Sequence, residues 1–300
     1  MSTTTPAVDL DPTPAPKKKR RWLKRTLITI GVIIVLLIAL IVGVLLYFNI
    51  PSNSAGLAAQ TVCSGTFVSG RNADDVFTQD VLPQSPALSI VSTSVDQSGR
   101  SVTATFLGLF ERRASLLPNR GCVLDEAPDP AAQPFVAKPV NPAAWPAGDA
   151  AIPPAQWGAG VNVSGLQQVV DQEFAGAGDP KAGNARGMAV VHDGKLLIQK
   201  QAPGFPAGMP LLGWSMTKTV NAMILYKKGQ ETNFDFNQLV VNAFPADRTP
   251  SWVAQWRQDP QKSQIKVSDL LFMKAGLDIA DDYGPQGKVV QMLYGEPSMA

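Results

Sequence analysis

Thr26 to Phe48 is an uncharged run of 23 residues rich in Ile, Leu and Val. No other stretch restricts the possible folds so strongly. At about 1.5 Å per residue, such a helix crosses a hydrocarbon core of roughly 30 Å. A helix that is apolar on every face does not suit the surface of a water-soluble domain. The run therefore predicts a transmembrane helix at 26–48. Lys17, Lys18, Lys19, Arg20, Arg21, Lys24 and Arg25 crowd its N-terminal side, and no comparable cluster follows it. The positive-inside rule then puts residues 1–25 in the cytoplasm as a basic tail and everything from about Ile50 onward outside. A cleavable signal peptide has a shorter apolar region and a small-x-small cleavage site, and Ser54 to Gln60 is a weak site. Arg20-Arg21-Trp22-Leu23-Lys24 loosely matches a twin-arginine signal but reads more simply as a basic flank. A lipoprotein signal fails because Gln60-Thr61-Val62 precedes Cys63.

The anchor also explains the charge. Residues 1–25 carry seven basic and two acidic side chains, or +5, so a total of +2 leaves −3 for residues 26–300. The outer part has no basic field, which argues against a nucleic-acid partner. The tail suits anionic lipid headgroups. Cys63 and Cys122 both fall outside the membrane, in a compartment that permits disulfides, and a bond between them is expected. One histidine and two cysteines leave little for a metal site, and no cofactor is expected.

Composition divides the remaining chain. Residues 1–16 are Thr-, Pro- and Ala-rich and are expected to be disordered, and residues 49–60 read as a linker of small residues. Residues 61–125 predict a small mixed α/β accessory domain. Its expected parts are a strand at Thr66–Gly70, a helix capped by Asn72 over Val76–Val81, and a hairpin of Leu88–Val95 with Ser101–Leu109. Residues 126–159 form a linker with eight prolines between Glu126 and Trp157, and Phe135, Trp145 and Trp157 are candidate anchors. Residues 160–300 form the second folded region. There Ser164 is the expected cap of a helix bearing Leu166, Val169, Val170 and Phe174. His192-Asp193-Gly194 is expected to turn a hairpin of Met188–Val191 with Lys195–Gln199. Ser268 is expected to cap Asp269–Lys274, and Val289–Tyr294 reads as a last helix. The whole is an α+β chain behind a transmembrane helix.

Gly213-Trp214-Ser215-Met216-Thr217-Lys218 is the stretch that carries chemistry. Ser-x-x-Lys at a helix start places a nucleophile and a base one turn apart on one face. Ser263-Gln264-Ile265-Lys266 matches the same pattern, but its alternation reads as extended, which sends the two side chains to opposite faces. After Ser215 the residues Thr219–Lys228 read as helix. Met216, Val220, Met223 and Ile224 form one apolar face meant for a core, and Ser215 and Lys218 lie opposite. The lone histidine, His192, sits in a turn, so a Ser-His-Asp triad is excluded and lysine is the available partner. A lysine accepts the serine proton only where burial or nearby positive charge favours its neutral form.

Four segments together resemble a known family. They are Met188 to Lys195, Leu211 to Thr219, Leu270 to Leu277 and Asp281 to Gly284. In order and spacing, residues 185–300 resemble the N-terminal part of the catalytic domain of serine beta-lactamase-related proteins. The closest branch is the class C-like group with esterases, D-amino-acid peptidases and 6-aminohexanoate-dimer hydrolases. The resemblance implies that Ser215 is the acylated nucleophile, that Lys218 handles its proton, and that the substrate is an amide or ester. It implies a bacterial-type inner-membrane protein with an extracytoplasmic catalytic region. It also implies a Tyr-x-Asn motif and a Lys-Thr-Gly or His-x-Gly motif, neither of which is assigned here. Tyr283 stands only 68 residues after Ser215, within Asp281-Asp282-Tyr283-Gly284, and is not taken as the motif tyrosine. On this resemblance 160–300 is an incomplete beta-lactamase/transpeptidase-like domain, from a longer reading frame or a decayed one. One oxyanion-hole donor is then expected to be missing, which typically costs on the order of a hundredfold in rate. The alternative expectation is an inactive, membrane-tethered binding or structural protein on the same scaffold.

Overall fold

The computed structural model describes residues 17–134, 136, 139–176, 185–284 and 287–296. The expected disorder of residues 1–16, the basic side chains of residues 17–21 and the anchor at Phe135 lie outside the described residues. The first element is a single helix, α1 (Lys17–Tyr47). Its Trp22–Tyr47 part, 26 residues, is long and apolar enough to cross a membrane and is not buried against the rest of the protein.

Residues 49–60 are not a linker. Asn49 turns through the left-handed region at φ 52°, and the chain re-enters a helix at once as α2 (Ile50–Cys63), with Pro51 in its first turn. Ala55, Ala58, Ala59, Val62 and Cys63 recur at helical spacing and are all fully buried. The small-residue composition that suggests a linker serves here to let a helix lie close against a sheet. The chain then coils through a wide-turn segment at Ser64–Val68, where a strand was expected at Thr66–Gly70. Asn72 does cap the next short helix, α3 (Ala73–Val76), through bonds from the Asp74 and Asp75 amides.

A four-stranded antiparallel meander follows in the order β1-β2-β3-β4. Its strands are β1 (Val91–Asp96), β2 (Ser101–Phe106), β3 (Phe110–Leu117) and β4 (Gly121–Leu124). The β1–β2 hairpin turns at residues 97–100, where Asp96 accepts the Ser98 and Gly99 amides. Those donors hold the Asp96 carboxyl below its ordinary range. Val102, Ala104 and Phe106 on β2, Ala114 and Leu116 on β3, and Leu124 on β4 form with α2 one buried core. Cys63 and Cys122 form a disulfide between the end of α2 and β4.

The proline-rich segment does have an anchor. Trp157 is buried and its indole N–H donates to the Ile152 carbonyl at 3.1 Å, while Trp145 is exposed. The Ile152 amide donates to Leu196 at 2.9 Å, so this segment borders the hairpin. That hairpin is β5 (Gly187–His192) with β6 (Lys195–Gln201). Asp193 and Gly194 both take positive φ, as a tight primed turn requires. Before it comes α4 (Val163–Glu173), capped by Asn162 rather than Ser164: the Asn162 side chain accepts the Gly165 amide at 3.0 Å.

Helix α5 (Met216–Thr232) runs one turn beyond the expected end, through Gly229 to a left-handed Asn233. Gly229 is tolerated inside the helix because Phe236 packs there; a Cβ would sit 2.5 Å from its ring. The expected apolar face does not meet a core. Val220, Met223 and Ile224 are 54%, 67% and 60% exposed, and no described element covers them. Helix α6 (Trp252–Gln258) leads to α7 (Val267–Leu271). There Lys266, not Ser268, is the capping position, and Asp269 reaches back to the Lys266 amide at 2.9 Å.

The last described helix, α8 (Lys288–Val290), widens at Gln291–Gly295 and packs on α2. The division at residue 160 therefore does not hold for this segment. Arg112 of β3 pairs with Asp125 and donates to the Tyr294 carbonyl at 2.9 Å and the Gly295 carbonyl at 3.1 Å. Burial pushes the Tyr294 hydroxyl up to about 12. A Cβ on Gly56 would collide with the Tyr294 backbone carbonyl. Gly56→Val should therefore lower stability by about 1–3 kcal/mol through overpacking. Limited proteolysis should at the same time show faster cleavage within residues 287–296.

Candidate functional site

Ser215 stands immediately before α5 at the N-cap position, where serine ordinarily caps a helix. It makes no cap bond. The Met216, Thr217 and Lys218 amides instead bond to the Gly213, Trp214 and Ser215 carbonyls in a tight first turn. The Ser215 hydroxyl is left for another partner, and the Lys218 ammonium donates to it at 2.9 Å. One helical turn separates the two residues, so the contact follows from the i, i+3 geometry. Trp214, just before the serine, has φ 42°. A bulky residue in that region is strained, and such strain concentrates at functional positions. Here it turns the chain sharply into α5.

Ser263 and Lys266 are not brought together. Ser263 lies in a short 3-10 turn rather than the expected extended strand, and its hydroxyl donates to the Pro260 carbonyl. Lys266 uses its amide to meet Asp269. The same four-residue pattern thus gives one facing pair and one separated pair.

Ser215 and Lys218 open onto a cavity of about 660 Å³. Its walls are contributed by distant parts of the chain: Gln60, Thr61 and Ser64 from the end of α2, Tyr283, and Met292 and Tyr294 from the last helical segment. The α2 wall was missed in the sequence because residues 49–60 read as linker. The period of Ala55, Ala58, Ala59 and Val62 was the available signal. Tyr283, which the motif spacing sets aside, shares this cavity and stacks edge-on with Trp214 at 6.3 Å between ring centroids. Desolvation, and after it the Asp281 carboxylate, raises the Tyr283 hydroxyl above its ordinary range. Both Ser215 and Lys218 are exposed. Among the described residues no group of three or more His, Cys, Asp or Glu is placed to hold a metal ion.

No family model, curated protein or solved structure matches this chain. The observed class is an α+β fold behind one apolar helix long enough to span a membrane. It carries a hydrogen-bonded Ser–Lys pair at a helix start.

Proposed function

We propose that this is an extracytoplasmic serine hydrolase of the beta-lactamase-related type, anchored with its N-terminus in the cytoplasm. The observation that carries the reading is the 2.9 Å contact between Lys218 Nζ and Ser215 Oγ at the edge of the cavity. In its neutral form Lys218 accepts the Ser215 hydroxyl proton as Oγ bonds to an ester or amide carbonyl carbon. The tetrahedral oxyanion collapses, the C–O or C–N bond breaks, and Lys218 returns the proton to the leaving alcohol or amine. Water then cleaves the Ser215 ester, with Lys218 again taking and giving the proton, and an acid is released. The Ser215 amide donates no hydrogen bond among the described residues, so it is one donor available to the oxyanion.

Exposure of both side chains favours a second reading. A lysine base works desolvated, and an exposed pair suits a tethered protein that binds without turnover. Incubation of the full chain with a fluorophosphonate or beta-lactam probe separates the two. The hydrolase forms an adduct that peptide mass spectrometry places on Ser215 and that Ser215→Ala abolishes. An unmodified Ser215, under conditions that label a control hydrolase, would leave the second reading.

A further inference from the structure

Arg71 follows the wide-turn segment after α2, and Arg186 precedes β5. The fold brings them together over one carboxylate. Arg71 donates to Asp80 Oδ2, and Arg186 meets Asp80 Oδ1 as a charge contact rather than an aligned hydrogen bond. The Phe205 ring lies 4.7 Å from the Arg71 guanidinium carbon and 5.0 Å from that of Arg186, holding both cations in place. The side chains of Arg71, Asp80 and Arg186 are only 7%, 16% and 26% exposed.

Gln79 accepts from both guanidinium groups, its side-chain oxygen from Arg71 at 2.8 Å and its carbonyl from Arg186 at 3.3 Å. It carries no charge, so two cations against one carboxylate leave +1 in a partly desolvated place. A charge held out of water is costly unless an opposite charge meets it. A clamp that merely joined two parts of the fold would be better balanced. Arg71, Asp80 and Arg186 also line a cavity of about 310 Å³ together with Thr61, Leu212 and Trp214. Those last three residues line the Ser215 cavity too. The two spaces are therefore neighbours that share Thr61, Leu212 and Trp214 as lining, and Trp214 is the residue that delivers Ser215.

We infer that the Arg71–Arg186 cavity is an anion subsite for the carboxylate of the acyl group that Ser215 accepts, an inference that rests on the hydrolase reading. Guanidinium forks match a carboxylate in shape as well as charge. The substrate class is then an ester or amide of a dicarboxylic acid, with one end activated for transfer and the other left anionic.

The test separates this subsite from the chemistry at Ser215. Glutarate is titrated into the full-length Ser215→Ala protein in detergent micelles while tryptophan fluorescence is read. Saturable quenching that disappears in a Trp214→Phe background reports occupancy beside Trp214. Arg186→Gln should weaken glutarate binding by about tenfold, the scale of one lost hydrogen bond to a charged group, and Arg186→Lys should restore part of it. No saturable binding, or binding unchanged by Arg186→Gln, overturns the subsite. Inorganic phosphate bound as tightly as glutarate would identify a free-anion site and overturn the substrate assignment. In the active protein, kcat/KM for mono-p-nitrophenyl glutarate should exceed that for its neutral methyl ester. Arg186→Gln should reduce that ratio by about tenfold. Arg186-dependent glutarate binding with no turnover of either ester would keep the anion site and overturn only the hydrolase reading.

Discussion

Lys218→Ala should lower kcat/KM for an activated ester by roughly 10²–10⁴-fold, the usual contribution of a positioned acid–base group. The expectation follows from the only polar partner the Ser215 hydroxyl has among the described residues. Without Lys218 the proton must pass to bulk water during attack. Lys218→Arg provides the sharper measurement. Arginine keeps a positive charge near Ser215 but remains protonated, so it cannot act as base. If Lys218 moves a proton, Arg is as poor as Ala. If Lys218 only supplies charge, Arg retains most of the rate. Rates of Ser215 acylation, measured by probe incorporation over time, decide between the two. Equal acylation rates in all three proteins would remove Lys218 from the mechanism.

Loss of the disulfide should have the largest effect on stability. Cys63 and Cys122 are 59 residues apart, and cross-linking a loop of that length restricts the unfolded chain by about 4 kcal/mol on the chain-entropy account. Cys63→Ala/Cys122→Ala should therefore lower the thermal midpoint by about 10 °C in a chain of this size. The consequence should reach the candidate site. Cys63 ends α2, and its neighbours Gln60, Thr61 and Ser64 form one wall of the Ser215 cavity. Slower labelling of Ser215 in the double variant would show that the wall depends on this bond. A midpoint unchanged within a degree would mean that packing of α2 on the sheet is enough.

Local signals in the sequence were readable where one local interaction dominates. Asp193-Gly194 specified its hairpin because two successive positive φ angles suit few other residue pairs. Asn72 was legible as a cap, since its side chain bonds amides only two and three residues away. Capping failed at Ser164, where Asn162 competes within the same turn and wins, and at Ser268, where the helix already starts after Lys266 and Asp269 accepts the Lys266 amide. Strand β3 was missed because Glu111, Arg112 and Arg113 interrupt the apolar alternation. Arg112 is nevertheless buried, because Asp125 meets its charge and the Tyr294 and Gly295 carbonyls accept from its Nη1, from 13 to 183 positions away.

The sequence by itself determined the apolar helix, the hairpin, the cysteine pair and the Ser215–Lys218 facing. Each depends on hydropathy over a short window, on a turn residue, or on helical spacing. Only the tertiary structure decided that residues 50–63 are a core helix, that residues 288–295 return to pack on it, and that both enclose the cavity beside Ser215. Small residues such as Ala55, Gly56 and Ala59 carry no local instruction for that. What they permit is close approach, and its value exists only once a sheet and a second backbone are there to be approached.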